Sequence, residues 1–222
     1  NVNVWGTTDI LNCDAGVYSH FGSARVTGSR MTNVKTGIYM WGARTAMRAN
    51  FSNNSITAKQ YGILLNDNNG CSGVWAMDNI IVMNGDKYAT GILANEHSTA
   101  SQVIYTITGN SIDIENANAG IELNQADKAE VHYNYVEIKK GIGTAPISKG
   151  IALQNSIRSS ITCNNVNGFV DTLGKCRGYH ISLSPNNTIQ CNTARETGYG
   201  FYFGGNCNST TFKGNYMDTS YT

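Results

Sequence analysis

The sequence predicts an all-β solenoid: a right-handed parallel β-helix of about eight coils, forming one domain over residues 1–222. Three observations predict it. A glycine followed by alternating apolar residues recurs along the chain, an asparagine framed by apolar residues recurs between those glycines, and the composition favours strands and turns.

The glycine motif runs Gly16-Val17-Tyr18, Gly37-Ile38-Tyr39, Gly62-Ile63-Leu64, Gly91-Ile92-Leu93, Gly120-Ile121-Glu122, Gly150-Ile151-Ala152, Gly178-Tyr179-His180 and Gly200-Phe201-Tyr202. The steps between these glycines are 21, 25, 29, 29, 30, 28 and 22 residues. Period-2 alternation of this kind marks short strands with one buried face. A single such strand cannot bury its face alone, so successive coils must stack.

The second motif is apolar, two residues, Asn, one residue, apolar. It reads Phe51–Ile56 around Asn54, Ile107–Ile112 around Asn110, Val131–Val136 around Asn134 and Ile161–Val166 around Asn164. Asn79, Asn192 and Asn215 occupy the same slot, and Ser29 holds it in the first coil. Stacked coils would place these residues in one file, each amide bonding the next and each Asn adopting the left-handed angles of a tight bend. Small residues often precede the ladder position (Gly28, Asn53, Gly109, Cys163, Cys191, Gly214), which suggests crowding there, with Tyr133 and Asp78 as exceptions.

Composition agrees. The chain has 28 Asn, 24 Gly and 2 Pro, and 20 Ile against 8 Leu, a bias against helices. Lys plus Arg is 16 and Asp plus Glu 15, a balance that excludes a nucleic-acid partner, which needs a basic surface. No apolar run approaches the roughly 20 residues of a membrane span, so no membrane insertion is expected. No signal peptide opens the chain, and no amphipathic capping helix closes either end. A mature or excised segment of a longer chain is therefore expected, with flanking domains as partners.

The six cysteines form no CxxC pair and no zinc-finger spacing with His, and no metal or cofactor is expected. Cys163 and Cys191 share one slot in successive coils, so a small buried thiol ladder is expected, with a disulfide open to them in an oxidising compartment. Asn66-Asp67-Asn68-Asn69-Gly70 lacks the spaced carboxylates and terminal Glu of a calcium loop and reads as a turn. Glu96 and His97 are adjacent, so their side chains should diverge.

With these repeats the chain resembles the pectin-lyase-like superfamily over residues 16–217. Gly200-Phe201-Tyr202-Phe203-Gly204-Gly205-Asn206-Cys207-Asn208 and Thr211-Phe212-Lys213-Gly214-Asn215 resemble repeats of large secreted surface proteins of Bacteroidota. That likeness implies a secreted or cell-surface location. Polygalacturonase-like members of the superfamily carry Asn-Thr-Asp, Asp-Asp, Gly-His-Gly and Arg-x-Lys strings, and pectate-lyase-like members an Arg-x-Pro-x-x-Arg motif. None of these occurs here.

If the residue after each glycine points inward, the next faces out: Tyr18, Tyr39, Leu64, Leu93, Glu122, Ala152, His180, Tyr202. Two further on, a second outward column reads His20, Trp41, Asn66, Asn95, Asn124, Gln154, Ser182, Gly204. Aromatic rings and amides are what a glycan face uses, so Tyr39, Trp41, Asn95, Asn124, Gln154 and Tyr202 are the candidate ligand-binding residues. Glu122 and His180 are the weak catalytic candidates, two coils or roughly 10 Å apart at the strand spacing. The expected function is therefore a non-catalytic stalk or adhesin segment of a secreted or cell-surface protein, with polysaccharide or cell-surface glycans as partners. The alternative is a polysaccharide lyase or glycoside hydrolase working in a groove on that face.

Overall fold

A computed structural model describes residues 2–43, 47–68, 71–84, 87–97, 103–140, 147–169 and 175–218. The described residues form parallel strands only, wound as a solenoid of about eight turns. No helix among them is long and apolar enough to cross a membrane.

Each coil contributes three kinds of strand. The pre-ladder strands stack into a nine-stranded sheet from Val2–Trp5 to Thr211–Lys213. The post-ladder strands and the glycine strands make up a fifteen-stranded sheet, joined where Arg30–Trp41 and Ser55–Asn66 run through both positions. Register follows the sequence motifs. Val17, Ile38, Ile63, Ile92, Ile121, Ile151, Tyr179 and Phe201 pair in one file. Val26, Phe51, Ala76, Ile107, Val131, Ile161 and Ile189 form a second. Met31, Ile56, Ile81, Ile112, Val136, Val166 and Ala194 form a third. These files meet in the interior, where almost every member is fully buried.

The asparagine file lies at the corner between pre- and post-ladder strands. Asn134 is typical. Its amide nitrogen Nδ2 donates to Asn164 Oδ1 (2.9 Å) and to the Ile107 carbonyl of the preceding coil (2.9 Å), while its Oδ1 accepts from Asn110 N (3.0 Å) and Nδ2 (2.9 Å). The same bonds repeat from Asn54 to Asn215, and Ser29 N donates to Asn54 Oδ1 at the first step. The left-handed angles, however, fall one residue earlier than expected. Gly28, Asn53, Asp78, Gly109, Tyr133, Cys163, Cys191 and Gly214 all have φ between 53° and 69°. The reversed backbone favours glycine at these corners; at Gly109 an added Cβ would also crowd Asp78 Oδ1, whereas Gly28 and Gly214 have room, and Tyr133 fits because its ring projects into solvent.

Each buried core side chain contributes about 1.5–3 kcal/mol, and each ladder hydrogen bond only about 0.5–1.5 net. The core supplies most of the stability and the amides fix the register. Asn134→Ala or Asn164→Ala should lower stability by about 1–3 kcal/mol in urea unfolding, because neighbouring amides are left buried and unpaired. Lys139→Ala, which removes an exposed 2.7 Å ion pair with Asp113, should change it by about 0.5 kcal/mol or less. Equal losses at all three positions would contradict a load-carrying ladder.

Candidate functional site

The glycine strands turn their outward residues into one face, and both expected columns pair in register from coil to coil. Its chemistry changes along the rod. At the N-terminal end Tyr18 and Tyr39 make an edge contact (5.1 Å between centroids), and His20 stacks on Trp41 at 4.4 Å. Tyr39 and Trp41 are half-buried in this aromatic cluster. In the middle, Asn66, Asn95 and Asn124 form a chain of amides at 2.7 Å per step. Gln154 continues their column and is exposed.

At the C-terminal end the structure assembles a charged cluster. Glu122, His180 and Tyr202 belong to the first outward column. Lys149, Arg177 and Tyr199 come from a further outward column, the residues immediately before the glycines. That column was not legible in the sequence, because alternation carried back through the glycine would turn it inward, as Thr90 and Ala119 are buried at the same position. Ala152, between Glu122 and His180, is only 4% accessible although it points outward. Its larger neighbours close over the notch it leaves.

The cluster is bonded as two groups. Asn118 Nδ2 donates to Glu122 Oε2 (2.6 Å), and Lys149 Nζ donates to Asn118 Oδ1 (3.1 Å). Arg177 Nη1 lies 3.0 Å from His180 Nδ1, and the guanidinium sits over the Tyr202 ring at 3.9 Å and the Tyr199 ring at 5.8 Å. Glu122 and His180 are thus each bonded to a nearer neighbour. Burial, with Arg177 nearby, lowers the Lys149 pKa despite the opposing pull of Glu122. Burial, Lys149 and Arg177 together push His180 down to about 4, so it is a neutral imidazole at neutral pH and its Nδ1 accepts from Arg177. Arg177 Nε is buried without a hydrogen-bond partner. Two cations and one carboxylate thus lie half-buried beside two tyrosine rings.

Other sequence candidates resolve differently. Glu96 is buried and His97 is exposed, facing Asp67 at 3.6 Å, so the pair diverges. Asp67 takes a left-handed turn and Asn68 is buried, its Oδ1 accepting from Ala43 N. Asn69 and Gly70 lie outside the described residues. Cys163 and Cys191 are free and exposed, which corrects the buried thiol ladder: each occupies the left-handed position at the corner, where its Cβ projects outward.

Parallel coils, an internal asparagine ladder and an outward polar face define a parallel β-helix protein of pectin-lyase-like architecture. More particularly, the chain belongs to the NosD family: the family model described as periplasmic copper-binding protein (NosD) matches residues 2–149. No curated protein and no solved structure matches the chain.

Proposed function

We propose that this chain is a non-catalytic β-helical module of the cell envelope, a stalk or adhesin segment that binds acidic polysaccharide along its glycine-strand face. The observation that carries the reading is the stacking of Lys149 and Arg177 in adjacent coils beside Tyr199 and Tyr202. A uronate carboxylate would accept from the two cations while its sugar ring lay on a tyrosine. The periplasmic description of the family supports an envelope location. A glycosidase needs two carboxyls about 5–9.5 Å apart, and Glu122 is the only carboxylate in the glycine strands.

The family description names copper, and the donor set of this chain bears on it. Among the described residues no three of His, Cys, Asp and Glu come together. His20 is stacked on Trp41, and His180 is engaged by Arg177. The exposed thiols of Cys163 and Cys191 are joined by no third donor. The described residues do not fit a copper centre of three or more ligands.

Calorimetric titration with an oligogalacturonate and with a neutral oligosaccharide of equal length tests the reading. The acidic oligomer should bind in a salt-sensitive manner, and Arg177→Ala or Lys149→Ala should weaken it about ten-fold or more, about 1.4 kcal/mol. Equal binding of the neutral oligomer would refute it. One observation favours the alternative, a polysaccharide lyase at the same patch: the lowered Lys149 pKa suits an amine base. Unsaturated uronate products appearing with wild-type protein and not with Lys149→Ala would establish that reading instead.

A further inference from the structure

A cavity of about 570 Å³ lies on a different surface, the outward side of the pre-ladder sheet near the N-terminal end. Its centre is one column of that sheet, in which Arg25, Asn50 and Trp75 are register partners in three successive coils. Arg48, two residues before Asn50 on the same strand, stands on the same side, and Met77 closes the other edge. The indole lies back over Gly73, where an added Cβ would meet ring atom Cη2 at 2.6 Å, so the ring is laid along the sheet. Asn50 Oδ1 is buried and accepts no hydrogen bond. Arg25 and Arg48 are exposed, neither joins an ion pair among the described residues, and no carboxylate lines the cavity.

These groups are complementary to one kind of solute. The indole offers a flat apolar platform, and the two guanidiniums offer forked donors to a carboxylate or sulfate. The volume suits a small ligand of one to a few rings. We propose that this groove is a second binding site, for a terminal acidic sugar unit: ring on Trp75, acid group on Arg25 and Arg48. It lies on another sheet from the Lys149–Arg177 patch and stands independently of the function proposed for that patch.

The test is tryptophan fluorescence together with calorimetry of the whole chain, titrated with galacturonic acid, galactose and inorganic phosphate. Galacturonic acid should give a saturable fluorescence change that Trp75→Phe removes, with Trp5 and Trp41 intact. Arg25→Ala and Arg48→Ala, both at exposed positions and so expected to fold, should each weaken binding about ten-fold or more, and galactose should bind about ten-fold more weakly than the acid. The Lys149→Ala/Arg177→Ala variant should keep this signal, so failure of the other site leaves this one measurable. Phosphate binding as tightly as the sugar acid, or a fluorescence change surviving Trp75→Phe, would overturn the proposal. So would unchanged affinity in both arginine variants whose melting matches the wild type.

Discussion

Gly62→Ala is expected to destabilise the protein by about 3 kcal/mol, at the upper end of the cost of overpacking a core. The glycine is not there for its backbone angles, since its φ is not positive. It is there for close approach: a Cβ would stand 2.5 Å from the Gly91 carbonyl oxygen of the next coil and 2.5 Å from Ile81 Cγ2. Gly37, Gly91, Gly120, Gly150 and Gly178 meet the same pair of obstacles, the next glycine's carbonyl and the post-ladder side chain one coil on. Alanine would gain about 0.5–1 kcal/mol from a stiffer unfolded chain, too little to offset a clash with backbone that cannot rotate away. Gly204→Ala is the control, because its nearest obstacle is the Tyr202 ring at 3.0 Å, a side chain able to shift. Urea unfolding of both variants measures the difference, and a stabilised Gly62→Ala would show that neighbouring coils are looser than this stacking.

The second large effect concerns Glu96. In other coils a left-handed residue follows the outward amide column, as Asp67 and Gln125 do. The fourth coil lacks that residue, and Glu96 follows Asn95 directly. Its N–H donates to the Asn124 carbonyl (2.9 Å), and its carboxyl reaches inward, where Oε1 accepts from Asn68 N (3.1 Å) and from the Tyr105 hydroxyl. Oε2 has no partner. Desolvation, against the opposing Asn68 hydrogen bond, raises the pKa from 4.5 to about 8.

Because the folded pKa is raised, the native state holds a proton that the unfolded state has released throughout the interval from 4.5 to about 8. Stability must therefore fall as pH rises through it. The whole interval corresponds to a loss on the order of 4–5 kcal/mol at about 1.36 kcal/mol per pH unit. Below 6.5 the lowered pKa of His180 works in the opposite sense, since that group favours the folded state as pH rises from about 4 to 6.5. The window above the His180 range is therefore 6.5 to about 8, where Glu96 should remove about 2 kcal/mol. Glu96→Gln keeps the oxygen that Asn68 and Tyr105 address and carries no charge, so its stability should be flat there and exceed the wild type above pH 8. A wild-type profile as flat as the variant's would mean the carboxylate ionises with little penalty in its site.

The outward columns could be read from the chain because alternation holds after each glycine: once Ile38, Ile63 and Ile92 are assigned inward, Tyr39, Leu64 and Leu93 have one side left to face. The same rule made the asparagine file legible, since only stacked coils bring residues 23 to 31 positions apart into hydrogen-bond range. The charged cluster was less legible. Tyr202, Glu122 and His180 were visible in one column, but Lys149 and Arg177 precede their glycines, and counting forward from the glycine passes over them.

Sequence alone thus determined the solenoid, its coil count and which residues look inward, because a periodic chain has one way to bury a periodic apolar face. Only the tertiary structure decided which outward residues touch, where the left-handed corners fall, and that Glu96 is swallowed by the core. Those depend on side-chain reach between coils and on one turn being a residue shorter than its neighbours, and neither leaves a mark in the repeat.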